Sequence, residues 1–386
     1  MKKIVLVHHS NQLGLGGTEK DMLLFCKYFR RDVFEVHALT RRSPVPPHRV
    51  LLDRIGSAFG RGRSVERRVQ HEVAKIRVPD FIRLLGEDHV HFYGRRSLPG
   101  IMRTLSPVIL HVHHSGVSEP PISVPEAVAG VPVIFTINGF GFEDPTPQGR
   151  RVTRVLFPSE FIRDKVALWG KGDPRCGLLY CPIEKPCSRD DLRKDLGIPG
   201  DVFVVGRVGR NADDIHDPIS LRAYKEIESE KTLFLALAPP PKMVEEARAM
   251  GLRRVRWLEP TVDEVFLSRF YNTIDALGHA RSDGETFGCV IAEAMIHGKP
   301  VVTHRSPLRN AQEELVGTTG FVADQHDWRA YGGFLRRLMG DRGLKEKMGR
   351  EAEARALENF EAEKVTRKLE GLYLEELAKR GIPVPS

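Results

Sequence analysis

What most constrains this chain is the alternation of short β-rich runs with helical stretches along almost its whole length. Residues 4–7, 35–39, 90–93, 108–112, 133–137 and 154–157 read as buried strands in the first half. Residues 202–205, 232–237, 255–258, 274–277 and 300–303 do so in the second, with helical spacing between them, as over 20–29 and 290–295. Repeated β-α alternation predicts an α/β fold of parallel sheets covered by helices. The pattern restarts after Lys185-Pro186-Cys187-Ser188-Arg189-Asp190-Asp191, a polar stretch suited to a linker. A chain of 386 residues is too long for one ordinary core. Two α/β domains are therefore expected, over 1–184 and 185–362. The remainder, 363–386, begins with an amphipathic helix whose Val365, Leu369, Leu372, Tyr373 and Leu377 are available to pack.

A composition of 41% hydrophobic and 28% charged residues fits a soluble globular protein. No apolar run approaches the roughly 20 residues of a membrane-spanning helix. The start, Met1-Lys2-Lys3-Ile4-Val5-Leu6-Val7, is too short in apolar length for a signal peptide and reads as a first strand. The expected location is cytoplasmic, with peripheral attachment to the inner membrane face as an extension of it. Five cysteines argue against a disulfide framework, and Cys176, Cys181 and Cys187 lack the C-x-x-C spacing of a zinc site.

Charge is unevenly placed. Residues 1–182 hold 27 Lys/Arg against 17 Asp/Glu, while 183–386 hold 32 against 34. Eight arginines between Arg41 and Arg68 face only Asp53 and Glu66. Such a patch suits an anionic partner, whether acidic lipid or a phosphorylated acceptor, and is equally compatible with a solvated surface. No reading motif accompanies it, so nucleic acid is not expected as a partner.

Ligands of open α/β sheets bind at the carboxyl ends of strands. Asn11-Gln12-Leu13-Gly14-Leu15-Gly16-Gly17-Thr18-Glu19 follows the first strand and opens a helix, so its amides can face an anion. It is not a dinucleotide fingerprint, since Glu19 stands at the third glycine position. That counts against a nicotinamide-dependent oxidoreductase. The segment Ser282-Asp283-Gly284-Glu285-Thr286-Phe287-Gly288-Cys289-Val290-Ile291-Ala292-Glu293 is more specific. Its two carboxylates, about 12 Å apart if fully helical, suit the ends of an extended, hydroxyl-rich ligand, with the amides of Thr286, Phe287 and Gly288 between them. A nucleotide sugar is such a ligand.

This Glu-x7-Glu segment, with Gly298-Lys299-Pro300-Val301-Val302 after it, closely resembles the retaining glycosyltransferases of family four. The likeness extends to Gly16-Gly17-Thr18-Glu19, Val205-Gly206-Arg207, Phe270-Tyr271-Asn272-Thr273-Ile274-Asp275 and Gly320-Phe321-Val322. It implies the GT-B fold, two Rossmann-like domains facing across a cleft with the last helix crossing back to the first. It implies no cofactor or metal, with a UDP-, GDP- or ADP-sugar as co-substrate and a glycan or glycolipid acceptor. By the resemblance, Glu285 contacts the donor sugar, Glu293 the ribose, Arg207 the diphosphate, and the Gly16–Gly17 loop phosphates and acceptor. A lysine usual after the arginine is missing, leaving Arg210 or His216 to supply its charge. A histidine usual near the sugar is replaced by Asn138. His113, at the end of a first-domain strand, is a further candidate contact to sugar or acceptor. The two replacements keep open a catalytically silent GT-B scaffold as the alternative.

Overall fold

The computed structural model describes residues 3–14, 16–42, 75–94, 96–114, 119–137, 149–167, 170 and 172–383. These divide into two compact units. The first gathers residues up to Pro158, Val166–Leu179 and those from Thr366 onward; the second gathers Ser159–Lys165 and Tyr180–Val365.

The first unit contains β1 (Ile4–Ser10), β2 (Phe34–Arg41), β3 (Val90–Tyr93), β4 (Ile109–His114), β5 (Val133–Ile137), β6 (Val152–Phe157) and β7 (Cys176–Leu178). They form one parallel sheet in the order β3-β2-β1-β4-β5-β6-β7. The second contains β8 (Phe203–Arg207), β9 (Thr232–Leu237), β10 (Val255–Leu258), β11 (Ala276–Gly278), β12 (Val301–His304) and β13 (Phe321–Ala323). Their order is β10-β9-β8-β11-β12-β13, again all parallel. Both sheets are Rossmann-like: strand order reverses beside the first strand of each, at β1/β4 and at β8/β11.

The unbroken apolar runs follow from this architecture. A parallel sheet carries helices on both faces, so alternate residues of one strand enter different cores. In the second unit, Val204, Leu233, Leu235 and Leu277 pack on one side with Phe270, Ile291 and Phe287. Phe203, Val205, Phe234 and Ala276 pack on the other with Tyr224 and Tyr331. At Gly206 the strand must lack a side chain, because a Cβ would lie 2.5 Å from Ile274 Cγ2.

The last helix, Ala362–Lys379, buries Val365, Leu369, Tyr373 and Leu377, with Leu372 half-buried. From Thr366 on it belongs to the first unit. There Glu370 accepts hydrogen bonds from Arg30 N and Nε at 2.8 and 2.7 Å, and Tyr373 stacks on Phe29. Among the described residues no helix is long and apolar enough to cross a membrane.

Candidate active site

At the switch point of the second sheet, β8 ends in Arg207 and β11 runs into the loop 279–288. Arg207 is 4% exposed. Its guanidinium donates to two carbonyls, Ala238 O at 3.1 Å and Arg210 O at 3.4 Å, and meets no carboxylate among the described residues. Burial lowers its pKa to about 10, which still leaves it charged at neutral pH. A buried, unpaired cation at a strand's carboxyl end is costly until an anion arrives. Arg210 is exposed, and its side chain has no partner among the described residues. His216 is buried and directs Nε2 to Glu246 Oε2 at 2.7 Å, so that nitrogen already has a carboxylate partner.

Glu285 lies in the loop, four residues ahead of the helix Cys289–Ile296. Two side chains grip it. His279 Nε2 lies 3.0 Å from Oε1 and Arg281 Nη1 3.4 Å from Oε2. A carboxylate only accepts, so His279 donates from Nε2, and in its neutral form Nδ1 accepts from Thr303 Oγ1 at 2.9 Å. Burial pushes the Glu285 carboxyl up, but the His279 bond and the charges of His279 and Arg281 outweigh it and hold the pKa below the usual value. Arg281 is itself paired with Asp283, which also receives Arg309. The backbone is fixed too: Glu285 N donates to Gln312 Oε1 at 3.1 Å, and Ala311 N to Glu285 O at 3.2 Å. Gly284 (φ +67°) has no room for a Cβ against the Arg309 carbonyl.

Glu293 is buried in the helix, and its Oε2 accepts from the Tyr271 hydroxyl at 2.7 Å. Phe287 turns its ring into the core, edge-on to Phe360 with centroids 5.3 Å apart, so only its backbone can face a ligand. The amides of Phe287 and Gly288 have no hydrogen-bond partner among the described residues. Gly288 (φ +105°) caps the helix in a conformation that disfavours a side chain. Thr286 O accepts from Ser159 Oγ at 2.7 Å. Sequence spacing singled out the two glutamates and the resemblance Arg207, but neither gave a role to His279, Arg281 or Tyr271. Their partnership with the glutamates appears only once the strands are aligned.

In the first unit, Gly16 is the N-cap of the helix Gly17–Tyr28. A Cβ at Gly16 would strike the Glu19 carboxylate, which folds back over this turn. The helix N-terminus thus already has a carboxylate of its own beside it, and it suits an incoming phosphate less well than the Arg207 loop does. His113 is 1% exposed and bonded to His8 at 2.8 Å; it faces the interior and offers no surface to a sugar. Asn138 and residues 43–68 of the basic patch lie outside the described residues. Arg41 is described, and it pairs with Glu119 at 2.6 Å.

Residues 199–341, the span that contains Arg207, Glu285 and Glu293, match the family model Glycosyl transferases group 1. The chain is 27% identical over 368 residues to the D-rhamnosyltransferase WbpZ of Pseudomonas aeruginosa, covering 90% of this chain and 89% of that protein. Its fold is that of the GT-B glycosyltransferases to which it is similar. It is also similar to the D-inositol 3-phosphate glycosyltransferase of Corynebacterium diphtheriae, 30% identical over 199 residues, or 48% of this chain and 45% of that one. The chain thus spans about half the length of several curated relatives it matches. Among solved structures, HepE of Anabaena in complex with UDP and glucose superposes with a TM-score of 0.66 at 16% identity, over 96% of this chain and all of that one.

Proposed function

We propose that this chain is a retaining glycosyltransferase that moves a hexose-type sugar from a nucleoside diphosphate sugar to an acceptor hydroxyl. The observation that carries the proposal is Arg207, a buried guanidinium with carbonyls but no carboxylate around it, beside a loop that holds Glu285 ionised. A diphosphate supplies the missing anion. Arg207, the amides of Phe287 and Gly288, and the exposed Arg210 meet the charge that develops on it as it leaves. Glu285 accepts hydrogen bonds from sugar hydroxyls, and Glu293 from the ribose. Both roles use a carboxylate's spare lone pairs. Asn138 is the proposed further contact to the sugar.

Glu285 is held at both oxygens, which suits binding better than bond formation. With no enzyme nucleophile assigned, the acceptor hydroxyl attacks from the face the diphosphate leaves. The bond from the sugar's anomeric carbon to phosphate oxygen breaks. A bond to the acceptor oxygen forms on the same face, and the acceptor proton passes to the departing phosphate. UDP is the favoured nucleoside diphosphate, on the likeness to a structure that holds UDP and glucose. The positive excess of the first half and the inositol-phosphate relative favour an anionic glycan or glycolipid acceptor, with the arginines from Arg41 to Arg68 on its side.

The test is incubation of the full chain with UDP-, GDP- and ADP-hexoses and inositol phosphate, followed by NMR. Release of one nucleoside diphosphate and a product with the donor's anomeric configuration are expected. An inverted product would refute retention, and no release from any donor would refute the activity.

A further inference from the structure

On the edge of the first sheet, the topology assembles four ligand-type side chains that the donor site does not use. Glu35 and His37 are two apart on β2, so they share one face. His89, which closes the short 3₁₀ turn Glu87–His89, and His91 on β3 are likewise two apart. The parallel register sets Ala38 against Val90 and Leu39 against His91, which brings His37 opposite His89. Four residues from segments some fifty positions apart thus meet on one patch.

Their side chains converge. His37 Nε2 lies 3.2 Å from Glu35 Oε1, and His37 Nδ1 lies 3.1 Å from His91 Nε2. The His89 ring stacks on His37, with centroids 4.5 Å apart and planes 16° from parallel. One ligand atom from each of Glu35, His37 and His89 lies within 4.8 Å of the other two. The ring nitrogens of His89 have no hydrogen-bond partner among the described residues. Adjacent ligands of a tetrahedral zinc ion with bonds of about 2.0–2.1 Å stand roughly 3.3 Å apart. The Glu35–His37 separation is already of that size, so only His89 has to turn.

We propose that Glu35, His37 and His89 form a binding site for a zinc-type divalent ion, with His91 positioning His37 from behind. In this arrangement His37 ligates through Nε2 and donates its Nδ1–H to His91. A histidine metal ligand commonly has such a second partner, which fixes tautomer and ring orientation. Two imidazoles and a carboxylate are the donor set of borderline ions, not of magnesium or calcium. Glu35 is 44% exposed, so the ion enters from solvent on that side, and water completes its coordination. The site is separate in chemistry from the sugar transfer, which needs no ion at these residues.

Titration calorimetry of the full chain, stripped with a chelator and titrated with zinc sulfate alone, tests this. One equivalent is expected to bind. His89→Gln and Glu35→Gln, both at solvent-accessible positions that leave the core intact, should each weaken binding at least tenfold. His91→Ala, acting through His37, should weaken it by about ten- to a hundredfold. The proposal is overturned if wild type binds no stoichiometric zinc. It is equally overturned if an equivalent binds with unchanged affinity in both Glu35→Gln and His89→Gln.

Discussion

Arg207 is placed for a ligand at the expense of the free protein. A buried charge without a counter-charge destabilises the fold that holds it. Arg207→Met, similar in length and apolar, should therefore melt at the same or a higher temperature than wild type in the absence of nucleotide. A loss of several degrees would mean that the guanidinium supports the fold through the Ala238 and Arg210 carbonyls. His279 stands in the opposite relation to its neighbour, because it keeps Glu285 ionised. Removing it in His279→Ala leaves burial to raise the Glu285 carboxyl. The acid limb of the turnover profile should then move to higher pH, and His279→Gln, which can still donate a hydrogen bond, should restore it in part. A uniform fall in turnover with an unmoved limb would make His279 a packing residue only. None of this was visible in the order of residues. Glu285 and Glu293 stood out because their spacing brackets a loop and a helix start, whereas His279, Arg281 and Tyr271 become partners through folding.

At the scale of elements, several strand bounds were legible from the β-rich runs alone, even at a sheet edge, where β10 leaves Arg256 exposed. Residues 90–93, 133–137, 232–237 and 255–258 are strands to the residue. β7 and β13 were not anticipated, since three residues at the far edges of the sheets carry too little pattern. The last helix was legible as amphipathic, and the resemblance sent it back to the first domain, where it lies from Thr366 on; the side chains that receive it were not legible. Tyr373 enters a buried chain of hydrogen bonds: His113 to His8 at 2.8 Å, His8 to the Tyr373 hydroxyl at 3.3 Å, Tyr373 to His111, and His111 to Thr136 at 2.6 Å. One consistent set of tautomers runs through it. His113 Nε2–H donates to His8 Nδ1, His8 Nε2–H to Tyr373, Tyr373 to His111 Nδ1, and His111 Nε2–H to Thr136, with every ring neutral. Tyr373→Phe would strand two ring nitrogens at about 1–3 kcal/mol each. A clear drop in melting temperature is expected, and an unchanged melt would show the chain to be energetically idle.

The same chain makes the first unit sensitive to acid. Burial, helped for His8 and His111 by the neighbouring rings, depresses all three histidines, with His113 lowered to about 3. Unfolded, each binds a proton near pH 6.5. Between these values the unfolded chain holds more protons, so stability is full above about pH 6.5 and falls as the pH drops toward 3. Urea midpoints measured across that range should decline steadily. His8→Phe combined with His113→Leu should flatten the decline, and a parallel curve in that variant would place the acid sensitivity elsewhere.

For the molecule as a whole, the strand order of the second Rossmann-like sheet places Arg207, His279 and the Glu285 loop at its switch point, where such sheets bind ligands. The family match covers that same region. Nucleoside diphosphate binding at Arg207 is thus the claim on which the proposed transfer depends. Titration calorimetry with UDP, GDP and ADP on wild type and Arg207→Ala tests it most directly. Wild type should bind at least one of them, UDP first. Arg207→Ala should bind it roughly 10- to 100-fold more weakly, the equivalent of about 1.5–3 kcal/mol for hydrogen bonds to a charged group. Equal affinity in a folded Arg207→Ala protein, or no binding of any of the three by wild type, would contradict the assignment.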